Sequence, residues 1–308
     1  MLARLLQSLR SHDVAAPQPA AGADPAWATS LREIDRRLQE LSAIAGPQLQ
    51  SLVTQERDRL LADSRYDDPL RLERHGASVY SQNDEDGILA EIFRRIGTTD
   101  RRFLEFGVDA GLENNTLCLI EQGWSGAWIE GDAARVAQIH KGFGRWLDSG
   151  RLVLRHALVM RENINGLIGD LKLPPEPDLI SIDIDGNDYH VWEAIDVIRP
   201  RVVAIEYNAK FPPPMEWIMA YDPMHGWDGT DQFGASLESL TTLAARKDYT
   251  LVGCSLSGAN AFFVRTPLAA GKFAQPATAA SLYHPPRYHL VHAYATGHPP
   301  GYSRSQMR

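Results

Sequence analysis

Phe103-Leu-Glu-Phe-Gly-Val-Asp-Ala-Gly-Leu-Glu-Asn-Asn115, followed further on by Ala127-Trp-Ile-Glu-Gly-Asp132, is the stretch that decides the fold. An apolar run ends in an acid and two glycines, a helix-compatible segment follows, and a second apolar run ends in another acid. This is the layout of a nucleoside-binding β-turn-helix-β unit, and strand ends in an open parallel sheet face a common crevice. Glu105, Gly107, Gly111 and Glu130 are expected to meet there. The two glycines allow a tight turn and a close backbone approach that a Cβ would block. Glu130, at the tip of the second strand, is placed to accept hydrogen bonds from ribose hydroxyls.

Two features set this unit apart from a pyrophosphate-binding one. The third glycine of that pattern is absent, and the charge of Glu105 at the first strand's exit would repel phosphates. A cationic ligand without phosphate suits the site better, and S-adenosylmethionine, with its sulfonium and amino group, is such a ligand.

Working outward, apolar strands alternate with helical segments. The pattern predicts helices over 84–95, 114–122, 133–141, 164–171 and 189–198, with strands over 103–106, 126–130, 152–154, 179–183 and 202–206. Such alternation implies a parallel sheet covered on both faces. After a helix over 237–247 the pattern changes, and 250–254 and 261–264 read as a hairpin. The expected fold is α/β: a class I methyltransferase Rossmann-like sheet of seven strands, mostly parallel with one reversed, with an N-terminal helical extension.

The chain divides into a disordered Ala/Pro-rich linker over 1–30, a helical extension over 31–75, the main domain over 76–265 and a tail over 266–308 without readable periodicity. In the extension Leu31, Ile34, Leu38 and Leu41 follow a 3-4 spacing. Gly46-Pro47 then predicts a break into two amphipathic helices, with a homo-oligomer formed through them as one reading and packing on the domain as the other. The net charge of −8 and the lack of basic runs interleaved with aromatics argue against nucleic acid and anionic membranes as partners. The first ten residues are too short and too charged for a transmembrane span or signal h-region. Cys118 and Cys254 read as buried thiols, consistent with a cytoplasmic protein.

With these segments in place the chain resembles the FkbM-type S-adenosylmethionine-dependent methyltransferases. The matching stretches are Tyr80-Ser-Gln-Asn-Asp-Glu-Asp-Gly-Ile-Leu89, Glu105 to Thr116, Gly123-Trp-Ser-Gly126, Asp178-Leu-Ile-Ser-Ile-Asp-Ile-Asp-Gly-Asn-Asp-Tyr189 and Gly258-Ala-Asn-Ala-Phe-Phe-Val-Arg265. Where the family usually has Asp in its first strand this chain has Glu105, and Val108-Asp-Ala replaces a Gly-Ala-Asn turn. The resemblance implies methyl transfer to an oxygen, commonly of a sugar in polysaccharide biosynthesis, sometimes with Mg²⁺. Asn115, within the second of these stretches, is counted with Glu105, Gly107, Gly111 and Glu130 among the candidate cofactor-binding residues.

The densest polar cluster is Asp183-Ile-Asp-Gly-Asn-Asp-Tyr189, directly after the fourth strand. Strand alternation is expected to turn Asp183 and Asp185 the same way, toward the crevice that Glu206 also borders. Asp183, Asp185, Asp188 and Glu206 are the candidate ligands of Mg²⁺, which takes oxygen donors and would lower the pKa of a sugar hydroxyl. The blander reading makes Asn187 and Asp188 helix caps. His190 is the candidate base beside Asp183 and Asp185, against the alternative of a structural histidine, and His156 is placed near the adenine ring. His225 lies in a long loop over 221–230 where a lid would sit, and Trp217, Tyr221 and Trp227 are candidates to stack on a sugar's apolar face, with anchoring of the loop as the alternative. The expected function is O-methylation of a hydroxyl on a glycan or glycosylated small molecule. A non-catalytic cofactor-binding or assembly subunit and an NAD-dependent sugar oxidoreductase are the alternatives.

Overall fold

A computed structural model describes residues 25–291. Seven strands form one sheet: β1 Arg102–Phe106, β2 Ser125–Glu130, β3 Leu152–His156, β4 Leu179–Ile182, β5 Val202–Glu206, β6 Tyr249–Cys254 and β7 Asn260–Arg265, in the order β3-β2-β1-β4-β5-β7-β6. β1 to β5 pair in parallel, and β7 runs antiparallel to both β5 and β6. The central strands are nearly continuous runs of buried apolar residues, as a sheet covered on both faces demands. Alternation divides them between two cores. Leu104, Phe106, Ile180, Ile182, Val203 and Ile205 face one layer, and Phe103, Leu179, Val202 and Ala204 the other.

The helices follow the expected order with shifted ends: α2 Glu85–Ile96, α3 Leu117–Glu121, α4 Ala133–Asp148, α5 Ile164–Asp170, α6 Asp188–Ala194 and α7 Leu237–Arg246. Asp132 caps α4 by accepting from the amides of Ala134 and Arg135, and Ser236 caps α7 through the amide of Ser239.

Three expectations are corrected. The extension is one helix, α1 Pro25–Leu61, not two helices broken at Gly46-Pro47. A proline removes a single donor, and helix formers such as Leu, Gln, Glu and Arg flank it on both sides. Residues 25–30 of the expected linker belong to this helix; its remainder, 1–24, lies outside the described residues, as do 292–308 of the tail. The rest of the tail packs on the domain: α8 Thr266–Ala269 and α9 Ala279–Leu282 are followed by a 3₁₀ turn, and Phe273, Leu282 and His284 are buried. A polar cluster, not a periodic stripe, fastens this segment. His284 Nε2 lies 3.0 Å from Glu73, which also pairs with Arg71 at 2.6 Å, and the Tyr207 hydroxyl donates to the His284 carbonyl. Burial opposes the Glu73 charge, yet His284 and Arg71 hold its carboxyl down at about 2.

The two outermost matching motifs touch. Asn260 at the start of β7 donates to Glu85 at the start of α2, and Ser257 donates to Asn83. Asp86 accepts from the amides of Val79, Tyr80 and Ser81, which shapes the loop before α2. Cys254 is buried, while Cys118 is half-buried; neither forms a disulfide. No described helix is long and apolar enough to cross a membrane.

Candidate functional site

The C-terminal ends of β1, β2, β4 and β5 open into a cleft of about 800 Å³. β1 and β4 come so close there that a Cβ on Gly107, at φ 68°, would lie 1.7 Å from the Asp183 carbonyl oxygen. Only glycine fits. At the tip of β2, Glu130 lines the cleft and accepts from the amides of Asp109 at 2.9 Å and Asp132 at 2.8 Å. Burial raises its pKa. These bonds fix the carboxylate while leaving each oxygen a further lone pair for a ligand hydroxyl. Beside it, Ile129, Ala157, Leu158 and Val159 form an apolar wall suited to a base edge.

The other half of the cleft is acidic. Ligand oxygens of Asp183, Asp185 and Glu206 all lie within 4.8 Å of one another. Burial, then repulsion from Asp185 and Asp188, pushes the Asp183 carboxyl well above the usual range, and burial with Asp183 and Asp185 does the same to Glu206. Glu206 Oε2 is buried without a hydrogen-bond partner among the described residues. Three converging carboxylates with an unsatisfied oxygen make a donor set that fits a hard divalent cation. The convergence does not come from strand alternation as expected. β4 ends at Ile182, and Asp185 adopts a left-handed φ of 54°, so the turn brings it back beside Asp183. Aspartate tolerates this conformation better than most residues.

His225 completes this half. Its ring lies flush on Gly186, where a Cβ would meet Cδ2 at 2.3 Å, and its Nε2 is buried, unpartnered among the described residues, in a residue that lines the cleft. The loop is pinned: Asn187 Nδ2 donates to the Asp222 carbonyl at 2.7 Å, and the His225 amide donates to the same oxygen at 3.0 Å. Trp227, Phe233 and Tyr288 supply the aromatic lining. In the sequence His225 was visible only as part of a lid; its glycine seat could not be read from spacing.

Other expected site residues stand elsewhere. Glu105 shares the face of Phe103 and lies under the loop before α3, where the Asn115 amide donates at 2.9 Å and the Thr116 hydroxyl at 2.5 Å. It does not line the cleft, and burial lifts its carboxyl to about 7. The Asn115 side chain donates to Ser181, so it braces β4. Gly111, at φ 76°, leaves room for Trp128 and Phe143. His156 sets its Nε2 3.1 Å from the Gly131 carbonyl, outside the lining. His190 is likewise turned from the acids: its Nε2 meets the Met219 carbonyl at 2.7 Å, with Tyr221 against its ring. Asp188 accepts from the amides of Ile184 and Gly186 and so ties down the turn before α6; it is not in the acidic group, and Asn187 at the helix start makes no side-chain capping bond. Trp217 stacks on Phe211 and Tyr221 donates to Glu162, so neither lines the cleft.

A seven-stranded sheet in this order with only β7 reversed, bearing its cleft at the ends of β1, β2 and β4, is the fold of the class I methyltransferases. No family model and no curated protein matches the chain. Among solved structures it is similar to the O-methyltransferase from Bacillus cereus in complex with S-adenosylhomocysteine, at 17% identity over 73% of this chain and 94% of that one, with a TM-score of 0.39. It is also similar to an amino pentose methyltransferase from Micromonospora echinaspora with S-adenosylmethionine bound, at 14% identity over 60% and 92%, with a TM-score of 0.38. At these TM-scores the likenesses decide nothing about this chain; strand order and the reversed β7 define the fold.

Proposed function

We propose that the protein is an S-adenosylmethionine-dependent O-methyltransferase of the cytoplasm, related to the FkbM type, acting on a hydroxyl of a glycan or glycosylated small molecule. The observation that carries this reading is that one cleft holds Glu130 at the tip of β2 and the group Asp183, Asp185 and Glu206 at the ends of β4 and β5. Fold alone would not suffice, because α/β sheets host many activities.

Glu130 holds the ribose diol, with the apolar wall at Ile129 and Leu158 against the adenine. Bound S-adenosylmethionine supplies an electrophilic methyl group. The acceptor enters between Trp227, Phe233 and the acids, a half without lysine or arginine in its lining, which suits a neutral polyol and disfavours a phosphorylated one. Asp183, Asp185 and Glu206 would hold a divalent cation such as Mg²⁺, whose chemistry there is to acidify the hydroxyl. His225 Nε2 takes the hydroxyl proton as the oxygen gains the methyl group, and the neighbouring carboxylates stabilise the imidazolium formed. Gly107, by letting β1 and β4 close up, sets the distance between the two halves. A homo-oligomer joined through α1 belongs to the same reading.

The test is transfer of tritiated methyl from S-adenosylmethionine to a panel of neutral methyl glycosides, with and without Mg²⁺. Labelled glycoside is the expected product. Label appearing only on phosphorylated sugars would contradict the acceptor assignment.

A further inference from the structure

Helix α1 carries an uncharged row, apolar at every position but Gln48, that no described residue covers. Leu31, Ile34, Leu38, Leu41, Ala45, Gln48 and Leu52 alternate in steps of three and four along it, and none is charged. The large side chains of the row, with Ile44 and Leu49 beside it, are between 37% and 62% exposed. The charges lie off the row and are matched within the helix: Arg36 with Glu33 and Glu40, and Arg37 with Glu33.

The helix meets the domain by a different face. Only near its end do Val53, Arg57 and Leu60 become half-buried, with Arg57 donating to the Gly76 carbonyl, while Leu52 beside them stays exposed. The row is therefore not the surface that seats α1 on its own domain.

A strict three-four alternation drifts by about 20° per heptad around a straight helix, and a left-handed supercoil of two helices is the arrangement that keeps it facing a partner. We infer that α1 is the self-association surface of the protein, and that its occupant is the same row of a second copy of this chain, wound in a coiled coil over about residues 31–52. The five large side chains of the row together with Ile44 and Leu49 on its flanks, each removing on the order of 60–120 Å² from water, bury about 400–800 Å² per partner. With the flanking stems, that reaches the roughly 800 Å² per partner of a specific interface. An uncharged row also sets no like charges against each other when two identical copies meet. A membrane surface fits less well, since helices that lie on one bear an excess of Lys and Arg on the polar face, and here Arg36, Arg37 and Arg59 are paired with glutamates of the same helix.

Size-exclusion chromatography with light scattering on the full chain tests this, beside the double variant Leu38→Glu with Leu41→Glu and the opposite-face control Glu33→Ala. Both substituted leucines are exposed, so the domain should unfold at an unchanged temperature. The native chain and the control should show a mass of two or more chains, and the double variant the mass of one. A native monomer across the accessible concentrations overturns the inference. So does an oligomer that survives the double substitution, or a native monomer that sediments with phosphatidylglycerol vesicles.

Discussion

Glu105 illustrates how one side chain ties stability to pH. Its proton is held up to about pH 7 in the fold, whereas an ordinary glutamate releases it near 4.5, so the folded state binds more protons between those values. Stability from this group is full below the lower value and is lost as pH rises through the upper one; Glu85, also lifted to about 7 by burial and then Asp84, adds to the same slope. The melting temperature should fall from about pH 5 to about pH 8, and Glu105→Gln should flatten that decline; an unchanged slope would show that the proton is not held there. A different residue test concerns the division of labour. Glu130→Ala should weaken S-adenosylhomocysteine binding at least tenfold by titration calorimetry, whereas Asp185→Ala and His225→Ala should leave it within a factor of about two while lowering turnover by about 10²-fold or more. Loss of binding in all three alike would sink the assignment. The sequence showed Glu130, Asp183, Asp185 and Glu206 because strand ends can be located from apolar runs. It did not show that Glu105 and Asp188 spend their oxygens on backbone amides and a hydroxyl, because those partners depend on loop paths that no periodicity encodes.

At the scale of elements, the approach of β1 to β4 matters most. Gly107→Ala drives a Cβ into the Asp183 carbonyl at a backbone angle that disfavours any side chain, so it should both lower the melting temperature and abolish cofactor binding. At the opposite end of the same strands, buried Asp178 accepts from the amides of Thr99 and Arg101 and pairs with Arg201 at 2.6 Å. Removing one partner strands a buried charge, and Asp178→Ala should cost about 3–5 kcal/mol in chemical denaturation. A cost under about 1 kcal/mol would show that water reaches the arginine. Strands and most helices were legible, since two-sided burial writes itself as apolar runs and alternating helices. The continuity of α1 through Gly46-Pro47 and the docking of the segment after Arg265 were not. The first defies a local breaker rule, and the second rests on the Glu73, Arg71 and His284 cluster, which joins residues far apart in the chain.

Across the whole molecule, sequence order and spatial order agree where function is proposed. The motif around Glu85 and the one beginning at Gly258 meet through Asn260, and the crevice lies between the ends of β1, β2, β4 and β5. One half of it sets an apolar wall beside the fixed carboxylate of Glu130, with Asp109, Asp132 and Arg135 also in the lining, and the other is acidic with the unpartnered imidazole nitrogen of His225 among the described residues, an arrangement that suits a nucleoside beside a neutral hydroxylic acceptor. The central claim is that this cleft binds S-adenosylmethionine. Isothermal titration of the full chain with S-adenosylhomocysteine, beside NAD⁺, addresses it most directly. Saturable binding of one S-adenosylhomocysteine per chain, weakened by Glu130→Ala and absent for NAD⁺, is the expected result; no binding of S-adenosylhomocysteine, or saturable binding of NAD⁺ in its place, would contradict the account.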